Sequence, residues 1–485
     1  RRDPHRHRIP PAWGVAAVTF LALLGAAAFR STPSVLIEPL HQEFGWTVGT
    51  VSAALSVNLA LFGLTAPFAA ALMERFGIRR VVAFALLLVA IGSGLTVFMT
   101  APWQLILLWG VVVGLGTGSM AMALVATVVG RWFVARRGLV SVLLTAASAA
   151  GQLVFLPLIA WIATSSGWRP AALTTSLVAL GVVPLVLLLM RDRPSDVDVL
   201  PYGGTPADVT DPLRSGAARI AVDALRTAAR VPTFWLLIGG FFICGATTAG
   251  LVQSHFVPAA HDHGMPATTA AGLLALVGVF DLVGTVCSGW LTDRVDARVL
   301  LGVYYAGRGV SLAVLPPLFG TDLQASMLAF VIFYGLDWVA TVPPTLALTR
   351  QVFGAKAPVV FGWIFAAHQV GAAFAALLAG LIRDALGSYD LAWYGGAVLC
   401  VLAAIMSISI RTARRGTDPA GTDPRRRPAD QCGSRLRPAC RSGPSPRRPR
   451  DGAGPGRCTG PMGGPACPRA SARGCAPTSP RSGRW

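Results

Sequence analysis

The chain of 485 residues is 54% hydrophobic and only 13% charged, with a mean hydropathy of +0.60. This composition excludes a soluble globular protein of ordinary make-up and indicates a protein embedded in a bilayer. The net charge is +19, but the residues from Arg411 onward contribute +13 of it. The excess charge therefore belongs to one terminal stretch, and no nucleic-acid partner is expected.

Apolar segments of roughly 20 residues, the length that crosses a bilayer, recur along the chain about twelve times. They predict an all-α integral membrane protein with about twelve transmembrane helices, because a bilayer core offers backbone polar groups no partner outside the segment. The predicted spans begin near Trp13, Val51, Val81, Trp103, Gly138, Ala171, Phe234, Thr268, Val299, Ser326, Val359 and Leu391.

Arginine clusters occupy alternate connections between these segments. Short loops rich in Arg and Lys remain on the cytoplasmic side of a membrane. The pattern therefore predicts a multi-pass protein of the plasma (inner) membrane with both termini in the cytoplasm. The basic connections lie at residues 75–80, 131–137, 191–193, 294–298, 350–356 and 411–415.

A polar connection at residues 191–230 separates two helical halves. Thr210 and Asp211 before Pro212 predict the start of a helix, and residues such as Leu225 and Arg226 sort into apolar and basic faces. This amphipathic helix is expected either on the inner leaflet or in solvent. The predicted domains are a cytoplasmic segment 1–12, a half 13–190, the connection 191–230, a half 231–411 and a tail 412–485.

The tail at 412–485 consists largely of Pro, Gly, Ser and Arg. With almost no aliphatic residues it has nothing to bury, so it is predicted to be a disordered basic segment. An alternative is that this stretch is translated past a frameshift.

Few ionisable side chains fall inside the predicted spans, and each is costly there unless it faces a cavity or a partner. Arg30 lies late in the first span and Arg308 in the ninth. A guanidinium in a low-dielectric cavity suits a carboxylate, since it presents paired donors and keeps its charge. Both are candidate substrate-binding residues, as are the polar Asn58 and Gln152. Alternatively, Arg30 extends to the outer interface.

Three groups inside the spans are candidates for taking up and releasing a proton. They are Asp281 in the eighth span, Asp337 in the tenth and His368 in the eleventh. Either acid is also a candidate partner that neutralises Arg308, and His368 is alternatively a packing residue. The prolines at 343–344 are expected to break the helix and free backbone groups beside Asp337.

No cofactor and no metal site are predicted, and the protein is not expected to be an enzyme. His261 and His263 are close together, but a metal would need a third ligand from a distant part of the chain. Gly114, Gly116 and Gly118 lack the spacing of a nucleotide-binding loop and lie within a span, where small residues serve helix packing.

A basic loop follows the second apolar segment and returns, altered, in the second half. The first copy contains Glu74, Arg75, Gly77, Arg79 and Arg80, and the second contains Gly289, Asp293 and Arg294. The loop resembles the signature between the second and third helices of the major facilitator superfamily, with its weaker echo between the eighth and ninth. The resemblance implies two six-helix bundles around a cavity that opens alternately to either side. The loop is then expected to latch the outward-facing arrangement.

Three further stretches resemble the monocarboxylate transporters and oxalate/formate antiporters of that superfamily, at residues 131–138, 242–265, and 335–338 with 361–369. This resemblance implies small organic anions as substrates. Monocarboxylate transporters tend to carry an Asp and an Arg one turn apart in the eighth helix, whereas Thr285 stands four positions after Asp281 here. The anion-binding charge is therefore expected from Arg308 or Arg30.

These features together predict a secondary active transporter, acting as a monomer, that moves a small organic anion by alternating access in symport with protons. One alternative is an exporter of hydrophobic drugs or metabolites, which needs no arginine in its cavity. The other is a transporter-like sensor or scaffold that signals through its tail. The intact first loop is expected to matter more to transport than the altered second.

Overall fold

The helices of this chain form because each apolar segment can satisfy its backbone groups in a membrane only within itself. A computed structural model describes residues 10–120, 122–206 and 216–411, and the structural statements below concern these residues. The predicted helix start at Thr210 to Pro212 and the predicted tail at 412–485 lie outside them.

The first half begins with three long helices and continues with a span built from several pieces. A π-helical stretch, Ile106–Val113, lies inside the candidate span Pro102–Trp132. The helices are α1 (Pro11–Phe44), α2 (Val48–Phe76), α3 (Ile78–Leu95), α4 (Pro102–Leu105), α5 (Gly114–Ser119), α6 (Met122–Trp132), α7 (Arg137–Ser166) and α8 (Trp168–Leu189).

The second half follows a short connecting helix, α9 (Ala217–Ala228). A second π-helical stretch, Ala246–Val252, lies inside the candidate span Pro232–Asp262. The remaining helices are α10 (Pro232–Gly245), α11 (Gln253–Asp262), α12 (Ala267–Thr292), α13 (Ala297–Val314), α14 (Ala325–Asp337), α15 (Val342–Phe353), α16 (Ala357–Leu386) and α17 (Asp390–Ile408).

Eleven helical segments of the described chain are long and apolar enough to cross a membrane. The remaining predicted span, near Val299, corresponds to α13, an 18-residue helix. Arg298 and Arg308 lower the hydropathy of α13, which explains why it is not among the eleven. The predicted all-α membrane architecture is confirmed, with a helix at each of the twelve predicted spans.

The main packing between the two halves involves α2 with α16, α7 with α12 and α1 with α11. The first pair approaches closely, since a Cβ atom on Gly63 would lie 2.4 Å from Cβ of Gln369. Phe62 and Phe365 extend this contact, with ring centroids 6.1 Å apart. Small residues at such crossings let helix backbones pack tightly within a membrane.

Helix α9 packs against both α2 and α16. Its buried face consists of Ala221, Ala224 and Ala228. The indole N–H of Trp363 on α16 donates a hydrogen bond to the carbonyl oxygen of Ala221 at 2.8 Å, whereas the side chain of Arg219 is 87% exposed. A helix thus lies within the predicted connection and contacts a helix from each half through its alanine face, whereas Ile220 on the same helix is 46% exposed.

We predict that Gly63→Ala destabilises the packing of α2 on α16. The added methyl group would overlap Gln369, and such overpacking costs about 1–3 kcal/mol. The thermal unfolding temperature in detergent is expected to fall. Gly181→Ala is the matched control, because nothing lies within 4 Å of that position on α8. An equal or higher unfolding temperature for Gly63→Ala would contradict the close approach.

Candidate functional site

A cavity lies between the two halves, and its empty volume of about 460 Å³ includes space open to solvent. Helices α1, α2 and α5 line one side, and the stretch Ala246–Val252, α11 and α16 line the other. Arg30 is the only ionisable side chain among the described lining residues, so the cavity carries a positive charge. The apolar walls are Phe29, Pro33, Leu55, Leu59, Phe62 and Ala249, and the other polar lining residues are Ser34, Asn58, Thr117, Gln253, Ser254 and Gln369.

Arg30 lies past the middle of α1 and is exposed to the cavity that it lines. Its Cζ atom lies 5.4 Å from the centroid of the Phe62 ring, within the range of a cation–π attraction. None of the ion pairs in the described part of the chain includes Arg30. Its charge is therefore not neutralised by a carboxylate of those residues.

The two predicted polar residues have different positions. Asn58 is buried, lines the cavity and donates a hydrogen bond from Nδ2 to the carbonyl oxygen of Trp109 at 2.7 Å. Gln152 is half-buried on α7 and is not among the residues that line the cavity. Gln253 and Gln369 do line it and were not predicted, although they are amides inside apolar spans like Asn58 and Gln152.

Arg308 is fully buried and forms an ion pair with Asp337. Its Nε atom lies 2.6 Å from Oδ2 of Asp337, and its Nη2 atom donates to the carbonyl oxygens of Asp337 at 2.7 Å and Trp338 at 3.2 Å. Nη1 donates to Sγ of Cys244 at 3.0 Å. Of the two predicted acidic partners, the structure selects Asp337, and Arg308 does not line the cavity.

Asp281 lies beside the break between α14 and α15. Its Oδ1 atom accepts hydrogen bonds from the hydroxyl of Thr285 and from the backbone N–H of Val339, both at 3.1 Å. Val339 lies between Asp337, where α14 ends, and Val342, where α15 begins. The predicted break is therefore present, and Asp281 binds one of the backbone groups that it frees.

His368 lies on α16 among aromatic rings. Its ring centroid is 5.1 Å from that of Phe241 and 5.9 Å from that of Phe365. Nε2 is 3.5 Å from the hydroxyl of Thr248, and Nδ1 is buried without a hydrogen-bond partner among the described residues. These contacts favour a packing role for His368, since no charged group among its described contacts pairs with the ring.

Glu74, in the first basic loop, forms ion pairs with arginines from two other connections between helices. It forms an ion pair with Arg131 at the end of α6, and its Oε2 atom lies 3.9 Å from Nη2 of Arg193, which follows α8. Arg75 lies over the ring of Phe76, with Cζ 5.2 Å from the ring centroid. The acidic member of the motif is thus the anchor of this loop.

Gly77 and Arg79 of the same loop surround a carboxylate that the sequence reading missed. The backbone N–H of Arg79 donates to Oδ1 of Asp192 at 2.8 Å. Gly77 has a φ of 86°, and a Cβ there would lie 2.5 Å from Oδ2 of Asp192. Glycine is needed both for this backbone conformation and for the close approach. Arg80, the last motif residue, is exposed.

The second copy of the loop has no comparable anchor. Arg294 lies over the ring of Trp290, with Cζ 4.1 Å from the centroid, and Gly289 has open space around its Cα atom. Asp293 directly follows α12 and forms no ion pair among the described residues. Instead, Asp296 pairs with Arg298, whose guanidinium holds the pKa of Asp296 below its ordinary value.

A cavity between two halves of membrane-spanning helices is a feature of membrane transporters, and the comparison with known proteins assigns the chain to that class. The model of the Major Facilitator Superfamily matches residues 18–358. The chain belongs to this superfamily and is a transporter rather than an enzyme.

Among its relatives is the uncharacterized MFS-type transporter YcxA of Bacillus subtilis, 25% identical over 78% of this chain and 90% of that protein. Monocarboxylate transporter 13 of Bos taurus is 28% identical over 78% of this chain and 84% of that protein. A crystal structure of a D-xylose–proton symporter has the same fold, with a TM-score of 0.63 and 16% identity over 83% of this chain and 99% of that one.

We predict that the two copies of the basic loop differ in their contribution to stability. Glu74→Gln removes the charge that pairs with Arg131 and should cost about 2 kcal/mol, lowering the thermal unfolding temperature in detergent by several degrees. Asp293→Asn is the matched change in the second copy and should leave that temperature unchanged. Equal effects of the two substitutions would contradict the difference in anchoring.

Proposed function

We propose that this transporter moves small organic anions, carboxylates in particular, and couples their movement to protons. The observation that carries the proposal is Arg30, a guanidinium without a carboxylate partner among the described residues, in a cavity between the two halves. The names of relatives such as monocarboxylate transporter 13 support the same substrate class. We further propose that the protein lies in the plasma membrane with both termini in the cytoplasm.

Arg30 suits a carboxylate because its planar guanidinium offers paired donors to paired oxygens. Apolar side chains such as Phe29, Leu55 and Leu59 surround the charge, so the hydrocarbon part of a small acid is removed from water when its carboxylate binds. Arg308 is not assigned this role because Asp337 already neutralises it.

We predict that Arg30→Ala lowers uptake of carboxylates into proteoliposomes. Removal of a charge-assisted hydrogen bond in a site of this kind should raise the KM roughly 10- to 100-fold. Uptake is measured for a panel of radiolabelled monocarboxylates at several concentrations. Arg30→Lys should recover part of the affinity, because it restores the charge without the planar pair of donors.

Arg219→Ala is the matched control, since it removes an arginine whose side chain is 87% exposed on α9. It should leave the KM unchanged. Unaltered carboxylate uptake in Arg30→Ala would contradict the proposed anion site. Flux of uncharged apolar compounds that is unaffected by Arg30→Ala would instead support the exporter of hydrophobic compounds.

Of the two acids within the spans, the partly buried Asp281 is the better proton carrier. Protonation of Asp337 would leave Arg308 as a buried charge without its partner, which is strongly unfavourable. Asp281 accepts its hydrogen bonds from the neutral donors Thr285 and Val339, so protonation there strands no cation. We therefore assign the coupled proton to Asp281 and the structural ion pair to Asp337, and leave His368 as a packing residue.

We predict that Asp281→Asn abolishes the stimulation of uptake by an inward proton gradient while exchange of anion across the membrane continues. An amide in this position mimics the permanently protonated acid, so the protein can still alternate with substrate bound. Uptake with and without an imposed pH gradient, together with counterflow, measures the two activities separately.

Asp322→Asn is the matched control, because Asp322 is an exposed acid in the connection between α13 and α14. It should retain full stimulation. A gradient response that persists in Asp281→Asn would exclude Asp281 as the proton carrier. By contrast, Asp337→Asn should lower the unfolding temperature, because it breaks the buried pair with Arg308.

A further inference from the structure

The carboxylate of Asp384 binds the first turn of a helix in the other half of the molecule. Oδ1 accepts a hydrogen bond from the backbone N–H of Val48 at 2.9 Å, and Oδ2 accepts one from Gly49 at 2.8 Å. The N–H of Thr50 is satisfied locally by the side chain of Thr47. Asp384 on α16 therefore completes the cap of α2.

The position of Asp384 is unfavourable for its own helix. It lies in the last turn of α16, where exposed carbonyl groups give the helix end a partial negative charge that disfavours a carboxylate. The first turn of α2 offers the opposite partial charge and N–H groups that have no partner within their helix. The carboxylate keeps its two hydrogen bonds to α2 only while α2 and α16 remain together.

Two glycines permit this approach. A Cβ on Gly49 would lie 2.7 Å from Oδ2 of Asp384, and a Cβ on Gly380 would lie 2.5 Å from the hydroxyl oxygen of Ser52. Gly380 is one helical turn before Asp384, and Gly49 is nearly one turn before Ser52. The surfaces of α2 and α16 are therefore complementary in shape at this contact.

The neighbouring arginine does not neutralise Asp384. Arg383 is bound to Asp262 on α11 through Nε at 2.6 Å and Nη2 at 3.0 Å, a pair that lies within the second half. The Asp384 contact lies at the start of α2, whereas the Glu74 loop follows the end of that helix. It is therefore at the opposite end of the helical bundle from the basic loop.

We propose that Asp384 and the first turn of α2 form a gate that holds the two halves together at this end of the molecule. Alternation of access requires the halves to separate at one end and meet at the other. Breaking the Asp384 contact removes two hydrogen bonds and leaves the carboxylate, at a helix C-terminus, and two N–H groups to be solvated. The gate therefore favours the closed arrangement at this end, whichever substrate the cavity accepts.

The test is labelling of a cavity cysteine, Leu59→Cys, with a membrane-impermeant maleimide. A separate variant, Gln42→Cys, identifies the membrane face to use, because the exposed Gln42 lies at the same end of the molecule as Asp384. The reagent is applied to the face from which Gln42→Cys is labelled. Protein without Leu59→Cys gives the background from native cysteines. Adding Asp384→Ala should raise the labelling rate roughly tenfold, the effect of losing a charge-assisted contact.

Gly49→Ala keeps the carboxylate but obstructs its approach, and it should raise labelling in the same direction. This variant decides the question if Asp384→Ala does not fold. Asp322→Ala, which removes an exposed acid at the same end, should leave the labelling rate unchanged. An unchanged rate in Asp384→Ala, or in Gly49→Ala if only that variant folds, would overturn the gate. An equal rise in Asp322→Ala would overturn it too.

Discussion

An arginine does not lose its charge inside a membrane protein, so each one needs a partner or a polar space. Arg30 and Arg308, which lie within the membrane-spanning region, meet this requirement in different ways. Arg308 is enclosed and paired with Asp337 at 2.6 Å, whereas Arg30 faces the cavity between the halves. Arg308 therefore forms a structural ion pair, whereas Arg30 is the candidate anion site. The proposed mechanism depends on this difference.

Helix α2 connects the functional regions of the molecule. Its first turn is capped by Asp384 of the second half, and its middle contributes Asn58 and Phe62 to the cavity. Glu74, in its last turn, pairs with Arg131 of the first half and with Arg193, which directly follows that half. Separation of α2 from α16 would therefore break the Asp384 contact while the Glu74 contacts move as part of one half. The Glu74 loop therefore stabilises the first half, whereas the proposed Asp384 gate connects the first half to the second.

Hydropathy and arginine spacing were sufficient to predict the helices, because a bilayer imposes the same requirement on every span. They also identified Arg30 and Arg308, yet both looked like candidate substrate ligands. Only the packing of α13 against α14 separates them. Asp192 and Asp384 act through contacts with residues 113 and 336 positions away, which no local pattern encodes. Gln152 was predicted from its polar side chain within a span, yet it does not line the cavity.

The most direct test of the account is whether a carboxylate binds through Arg30. Purified protein in detergent is heated with a series of short-chain carboxylates and, in parallel, with their uncharged amides. Carboxylates should raise the unfolding temperature, the matching amides should not, and Arg30→Ala should lose the carboxylate effect while retaining its fold. Stabilisation by carboxylates that persists in Arg30→Ala would contradict the assignment of Arg30 as the anion site.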